Sequence, residues 1–308
     1  MGSVVISLDA ELGWGYLDFD DPPARVESAR SGWQTLVDLF EEFDIPATWA
    51  VVGHLFLDDC DGHHSTHPAP DGWFAKETGL WRSRPDLRFG RDLIDAVHTS
   101  RVGHEIGCHS YSHPQFGNID RAFADAEIAA CIEVARDYGI ELTSFVYPRN
   151  DVGHRDVLAT HGFTNYRGPS PVFRESILPK GVQTLVGGVY TSGGSLLVSP
   201  TVDRYGLVDI PASLYLFSFE GIALEIANHL AGDPIVRQAK RGIDQAVKGD
   251  GVFHMWLHPN NLDTEYSVER IRTILAYLAA VREQTGLTVE TMGDVAAKTR
   301  ARQSPRPA

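Results

Sequence analysis

Short apolar or β-branched runs recur along the chain: VVISL (4–8), ATWAVV (47–52), EIGC (105–108), LTSFVY (142–147), FTNYR (163–167), LVDIPA (207–212), VFHMWL (252–257) and LTVET (287–291). Each has the length of a buried strand. Stretches of helical period lie between them. Phe123, Ala126, Ala130, Val134 and Tyr138 recur at three- and four-residue spacing within 119–138, and Ile271, Ile274, Leu275, Leu278 and Val281 do so within 267–284. Strands alternating with helices favour a parallel sheet, and seven or eight such units suggest closure into a barrel. An open doubly wound sheet satisfies the same pattern.

Two regions interrupt the alternation. Residues 57–88 are rich in Asp, His, Pro, Gly and Trp, and residues 168–205 contain RGPSP, LPKG and TSGGS. Loops of that length are usually functional insertions or mobile segments. The alternation resumes in the same style after each, so neither reads as an interdomain linker. The expectation is one domain over residues 1–298 with two loop insertions, and a disordered tail over 299–308.

Composition narrows the classes of partner. The 308 residues carry 27 Lys and Arg against 41 Asp and Glu, a net charge of −14, with no basic block outside the tail KTRARQSPRPA. Nucleic-acid binding needs clustered cations and is not expected. Hydrophobic residues make up 43%, enough for a substantial core. Cys60, Cys108 and Cys131 are an odd number without CxxC spacing, so neither a disulfide framework nor a cysteine-rich zinc module is expected. No segment approaches the ~20 apolar residues of a membrane span, and none has the pattern of an export signal; a cytoplasmic protein is the expectation. Oligomeric state is not legible.

The candidate chemistry lies at the ends of the predicted strands. EIGCHSYSHP (105–114) sets His109 and His113 four positions apart directly after an apolar run. In a helix or tight turn both rings face one side, and imidazole is a common ligand for zinc-like ions. Two histidines call for a carboxylate to complete the set. VVISLDAELGWG (4–15) supplies Asp9 and Glu11 at the end of the first strand, where one could bind the ion and the other could take a proton from water. His258, in FHMWLHPNN (253–261), ends another strand and suits general acid work, since an imidazole exchanges protons near neutrality. His254, two residues earlier, reads as packing. His54 and Cys108 read as structural, and His63, His64 and His67 as loop residues or an adventitious metal site.

Together these motifs resemble the polysaccharide deacetylase family, carbohydrate esterase family 4. SLDAE stands where that family has its acidic motif, HSYSH (109–113) matches its H-[ST]-x-x-H, FVYPRN (145–150) looks like a rearranged R-x-P-Y, and LHP (257–259) matches the last. The resemblance covers roughly residues 4–262. It implies an α/β fold, an irregular (β/α) barrel usually of seven strands. It also implies a divalent metal, zinc, held by one carboxylate with His109 and His113, and hydrolysis of an amide C–N bond, with N-deacetylation of an amino sugar as the leading substrate class. Asp9 would be the general base, Glu11 the metal ligand, and His258 the acid for the departing amine. The oxyanion would rest on the metal and a backbone N–H near Tyr147. Arg149 would orient the base, and Asp209 would tether the acid histidine.

The departures from the family pattern leave alternatives open. Position 10 is alanine, so Asp9 and Glu11 could exchange roles. Arg149 follows its proline instead of preceding it. The literal FDD of DFDDPP (18–23) follows a turn and is set aside. The variant motifs also fit a small or lipid-linked amide substrate, such as a cyclic imide, ureide or formamide, or a non-catalytic carbohydrate-binding relative.

Overall fold

The computed structural model describes residues 1–16, 19–74, 80–170, 194–218 and 232–303. Most of the 168–205 insertion, part of the 57–88 insertion, Asp18 of the FDD segment and the end of the expected tail (304–308) lie outside the described residues.

All eight apolar runs form strands: β1 (Ser3–Ala10), β2 (Thr48–Val51), β3 (Glu105–Cys108), β4 (Ser144–Val146), β5 (Asn165–Gly168), β7 (Val208–Pro211), β9 (Val252–Leu257) and β10 (Thr288–Glu290). Two-residue strands β6 (Thr201–Val202) and β8 (Leu214–Tyr215) were too short to leave a pattern in the sequence. The sheet runs β6-β7-β5-β4-β3-β2-β1-β9-β8, with β10 beside the start of β1, and every pairing except β6 with β7 is parallel.

Closure comes from one run of chain. Only Ala212 and Ser213 separate β7 from β8, yet β7 pairs with β5 and β8 pairs with β9. The Ala212 N–H donates to the Gly168 carbonyl (2.9 Å), and the next N–H, of Ser213, donates to the His254 carbonyl (2.8 Å). The two ends of the sheet therefore share a stave, and the result is the expected seven-stave (β/α) barrel. The alternation of side chains along each strand then divides the molecule into an inside and an outside.

Outward residues such as Ile6, Leu8, Trp49, Phe145, Phe253 and Leu257 are fully buried in the main hydrophobic cluster beneath the helices. The described helices are α1 (Ala29–Phe43), α2 (Pro85–Arg88), α3 (Arg91–His98), α4 (Arg121–Asp137), α5 (Arg155–Thr160), α6 (Pro234–Lys248), α7 (Glu265–Thr285) and α8 (Met292–Gln303). Their ends follow local chemistry. Asp120 caps α4 by accepting from the Phe123 N–H, and Asp233 caps α6 with Pro234 in the first turn. Thr264 and Ser267 form a capping box on α7, which stops at Gly286 in the left-handed region (φ 72°).

Inward residues are of a different kind: Ser7 and Asp9 on β1, Glu105 on β3, Ser144 on β4, Asn165 and Arg167 on β5, and His254 on β9. They bond across the interior. Asn165 reaches the Ser144 hydroxyl (2.8 Å), Ser144 and Thr48 both donate to Glu105, and His254 Nε2 lies 2.9 Å from Ser7 Oγ. The lower opening is closed by the start of α8: Met292, Val295 and Ala296 pack with Val5, Val208 and Val252, and the Gly293 N–H donates to Glu105 (3.0 Å). An acid at a helix N-terminus is favourably placed. Helix α8 runs to Gln303, held in part by Arg300 against the carbonyls of Thr164 and Gly206, so residues 299–303 of the expected disordered tail are helical.

Helix α1 also fixes the turn after β9. A Cβ on Gly32 would lie 2.0 Å from the Pro259 carbonyl oxygen, a backbone atom that cannot rotate away. Gly32→Ala would gain about 1 kcal/mol of helix propensity, while overpacking costs roughly 1–3 kcal/mol or more. The expected outcome is a net loss of stability with a displaced His258 turn. An unchanged or raised denaturation midpoint in urea would contradict that packing.

Candidate metal and catalytic centre

Strand β1 turns Asp9 into the barrel mouth, and Leu12 then takes a left-handed conformation (φ 44°) that folds the chain back. Glu11 returns over the opening. It fits because residue 15 is glycine: a Cβ there would lie 2.1 Å from Glu11 Oε1. Both carboxylates are nearly excluded from solvent.

His109 and His113 follow β3 on a tight turn, not a helix. Ser110 (φ 62°) and His113 (φ 65°) both adopt left-handed backbone, strained conformations for residues with a Cβ. The turn is held from behind by Glu127 of α4, which accepts from the N–H groups of Tyr111 and Ser112 (2.8 Å each) and from the Ser112 hydroxyl. The ring of His109 is oriented by its Nδ1, 2.8 Å from the Val146 carbonyl. A carbonyl only accepts, so Nδ1 donates there and Nε2 is the nitrogen turned to the mouth.

That nitrogen faces the carboxylates. His109 Nε2 has no hydrogen-bond partner and lies 3.4 Å from Glu11 Oε2 and 3.9 Å from Asp9 Oδ2, while His113 Nε2 lies 3.0 Å from Glu11 Oε2. One donor atom each from Glu11, His109 and His113 lies within 4.8 Å of the others. A tetrahedral ion with bonds of about 2.0–2.1 Å sets its donors about 3.3 Å apart. The residues thus fit a divalent cation in both donor type and spacing.

Asp9 is engaged differently. Arg167 of β5 forms a bidentate pair with it across the barrel (2.5 and 2.7 Å), donates also to Ser7 Oγ and Asn150 Oδ1, and stacks over Trp256 at 4.4 Å. Burial pushes the Asp9 carboxyl up, but Arg167, His109 and His258 outweigh it and hold it below the usual range. For Glu11, burial again raises, and the facing imidazoles, His258 and His113 foremost, bring it well below. Burial lowers His113 more than Glu11 raises it. His258 completes the ring of groups, with Nε2 3.7 Å from Asp9 Oδ2 and 3.8 Å from Glu11 Oε1. Its backbone is fixed by Asn261, and its Nδ1 lies 3.4 Å from the Tyr215 hydroxyl.

The structure brings Asp9, Glu11, His109, His113 and His258 together and sets two other expected residues, Arg149 and Asp209, apart. Arg149 stands exposed on a left-handed turn (φ 54°) at the rim beside His113; the guanidinium paired with Asp9 belongs to Arg167. At Tyr147 the expectation concerns a backbone N–H at the end of β4; the ring itself points outward, packed among Phe116, Phe145 and Tyr166. Asp209 is outward as well, registered against Tyr166, and Tyr215 stands beside His258 in its place. Arg167 and Glu127 escaped the sequence reading. The signal for Arg167 was parity: in FTNYRG it shares a strand face with Asn165.

The family model "Polysaccharide deacetylase" matches residues 14–166. No curated protein matches. Among solved structures, one from Mycobacterium smegmatis, assigned as a polysaccharide deacetylase, aligns at TM-score 0.63 with 16% identity, covering 100% of this chain and 94% of that one. The Puue allantoinase aligns at TM-score 0.61 with 14% identity, covering 99% and 91%. At such identities the likeness establishes the fold.

Glu127 generates a prediction with two signs. Glu127→Ala leaves two buried N–H groups unpaired and should cost roughly 2–4 kcal/mol. Burial raises the Glu127 carboxyl from 4.5 to about 7 despite the donors around it. Ionisation is therefore disfavoured in the folded state, and wild type should lose stability relative to Glu127→Gln as pH rises from 4.5 to about 7, then run parallel. Denaturation midpoints of the three proteins across that range check this; parallel curves throughout would reject the raised value.

Proposed function

We propose that this chain, which belongs to the polysaccharide deacetylase family, is a metal-dependent hydrolase that cleaves an amide C–N bond, with an N-acylated saccharide as its substrate. The observation that carries the proposal is the convergence of Glu11, His109 and His113, buried residues with one donor atom each within 4.8 Å of the others, His109 Nε2 lying 3.4 Å from Glu11 and 3.9 Å from Asp9. Glu11, His109 and His113 would hold the cation. When bound there, a divalent ion supplies Lewis acidity, polarising the acyl carbonyl and acidifying water.

The remaining groups divide the proton transfers. Asp9 takes the proton of the attacking water at Oδ2, the oxygen facing His109 and His258. Its pairing with Arg167 keeps it ionised and aimed, at the cost of basicity. His258, one-fifth exposed at the rim, gives a proton from Nε2 to the departing amine. The division of the two acids follows from their contacts: Glu11 lies nearest both histidines, whereas both Asp9 oxygens are engaged by Arg167. The complete set argues against a binding protein that has lost its chemistry.

A second substrate reading rests on the cavity beside His113. It encloses ≈ 370 Å³ and is walled by Pro68, Pro70 and Trp73 of the first insertion, with Arg149 on the rim. That volume suits one compact molecule, and the fold is shared with an allantoinase. A small cyclic amide or ureide would fit the same chemistry.

Two experiments test these readings. Chelation should abolish hydrolysis and added zinc or cobalt should restore it, with Glu11→Gln and His109→Ala losing bound metal. Asp9→Asn should keep its metal while kcat falls about 10²–10⁴-fold. A metal-replete Glu11→Gln beside a metal-free Asp9→Asn would reverse the two roles. A panel of chito-oligomers, ureides and cyclic imides separates the substrates: turnover confined to the small amides would replace the saccharide assignment.

A further inference from the structure

A second group of donors lies behind the catalytic turn. His54 sits on the short turn Gly53–Phe56 that follows β2, and Cys60 and His64 come from the first insertion. One donor atom from each, two imidazole nitrogens and a thiol sulfur, lies within 4.8 Å of the others. Cys60 Sγ is 3.3 Å from His64 Nε2. A tetrahedral zinc, with Zn–S about 2.3 Å and Zn–N about 2.0–2.1 Å, sets sulfur and nitrogen about 3.5 Å apart.

The ring of His54 is prepared in the same manner as that of His109. It is fully buried, and its Nδ1 lies 2.8 Å from the Tyr111 carbonyl, so Nδ1 donates there and Nε2 is the nitrogen left to ligate. A backbone acceptor fixing the tautomer is the usual support for a ligating histidine. Trp14 and Tyr111 clamp the ring at centroid distances of 3.9 and 4.0 Å.

We propose that His54, Cys60 and His64 form a second cation site, selective for zinc-class ions, that pins the first insertion against the HSYSH turn. Thiolate and imidazole donors select zinc over magnesium or calcium. On binding, the Cys60 thiol releases its proton to solvent as the metal–sulfur bond forms, and three protein donors leave one position for water. The site differs in kind from the Glu11–His109–His113 cluster, which holds no sulfur. It touches the catalytic turn through Tyr111, whose carbonyl orients His54 and whose N–H is held by Glu127. The Trp73 indole, donating to Ser112 Oγ at 2.8 Å, is a second point at which the insertion meets that turn.

The test uses the full chain, stripped of metal and titrated with cobalt. Two ions per chain are expected, and one of them should bring the near-ultraviolet absorption of a thiolate-to-cobalt charge transfer. Cys60→Ser should lose that band and one ion while keeping the other, and Glu11→Gln should lose the other ion and keep the band. Absence of the band from the titrated chain, or its survival in Cys60→Ser, would overturn the assignment. Should Cys60→Ser fail to fold, alkylation decides within the Glu11→Gln chain. With zinc bound, Cys60, half-buried where Cys108 and Cys131 are buried, should react several-fold more slowly than after chelation. Equal rates would mean a thiol–imidazole hydrogen bond only.

Discussion

Arg167 and Asp9 face each other through the middle of the barrel, from strands separated by three others in the sheet. A charge pair this deeply buried is held only where neighbouring groups compensate for lost water, because desolvating the two ions costs several kcal/mol each. The interior supplies such groups. Ser7 and Asn150 take further guanidinium hydrogens, Trp256 covers its face, and the imidazoles of His109 and His258 stand beside the carboxylate. The inward face of β1 presents Ser7 and Asp9 to Arg167 of β5 above an apolar layer that includes Val5 and Val252. A barrel filled with aliphatic side chains could not hold Asp9 ionised at its mouth.

The interior is graded along its axis. At the bottom, Glu105 is consumed by the Thr48 and Ser144 hydroxyls and by the Gly293 N–H of α8, a closed arrangement that serves stability. In the middle, Ser7 links His254 to Arg167. Burial lowers the pKa of the His254 imidazole to about 3, so that ring is neutral and adds no charge to the column. At the top the carboxylates of Asp9 and Glu11 meet the imidazoles of His109, His113 and His258. The same strands therefore carry structural polarity at one end and reactive polarity at the other, as parallel barrels do.

The sequence made most of this legible because the chemistry is local in the chain. Asp9 with Glu11, and His109 with His113, are short-range pairs at strand ends, and apolar runs mark those ends. Eight strands and two helices could be read from period alone. What could not be read depends on parity and on contacts across the barrel. Asp209 lies within a residue of inward positions, and one residue of register puts a side chain on the opposite face. Arg149 carried the expected motif, but its backbone turns it to the rim, and the partner of Asp9 arrives 18 residues later on β5. Glu127 looked like one more polar position on an amphipathic helix. Nothing short of the fold shows that two N–H groups from a strained turn end on it.

The shared stave of β7 and β8 bears on how the molecule breathes. Successive amides, of Ala212 and Ser213, point to opposite neighbours, so fraying at that seam cannot loosen one border of the sheet and spare the other. Local opening there would unzip the cylinder as a whole, which makes those two protons reporters of global unfolding in hydrogen exchange. The seam behaves as a keystone, and slow fluctuations of the scaffold must be sought in the loops above it.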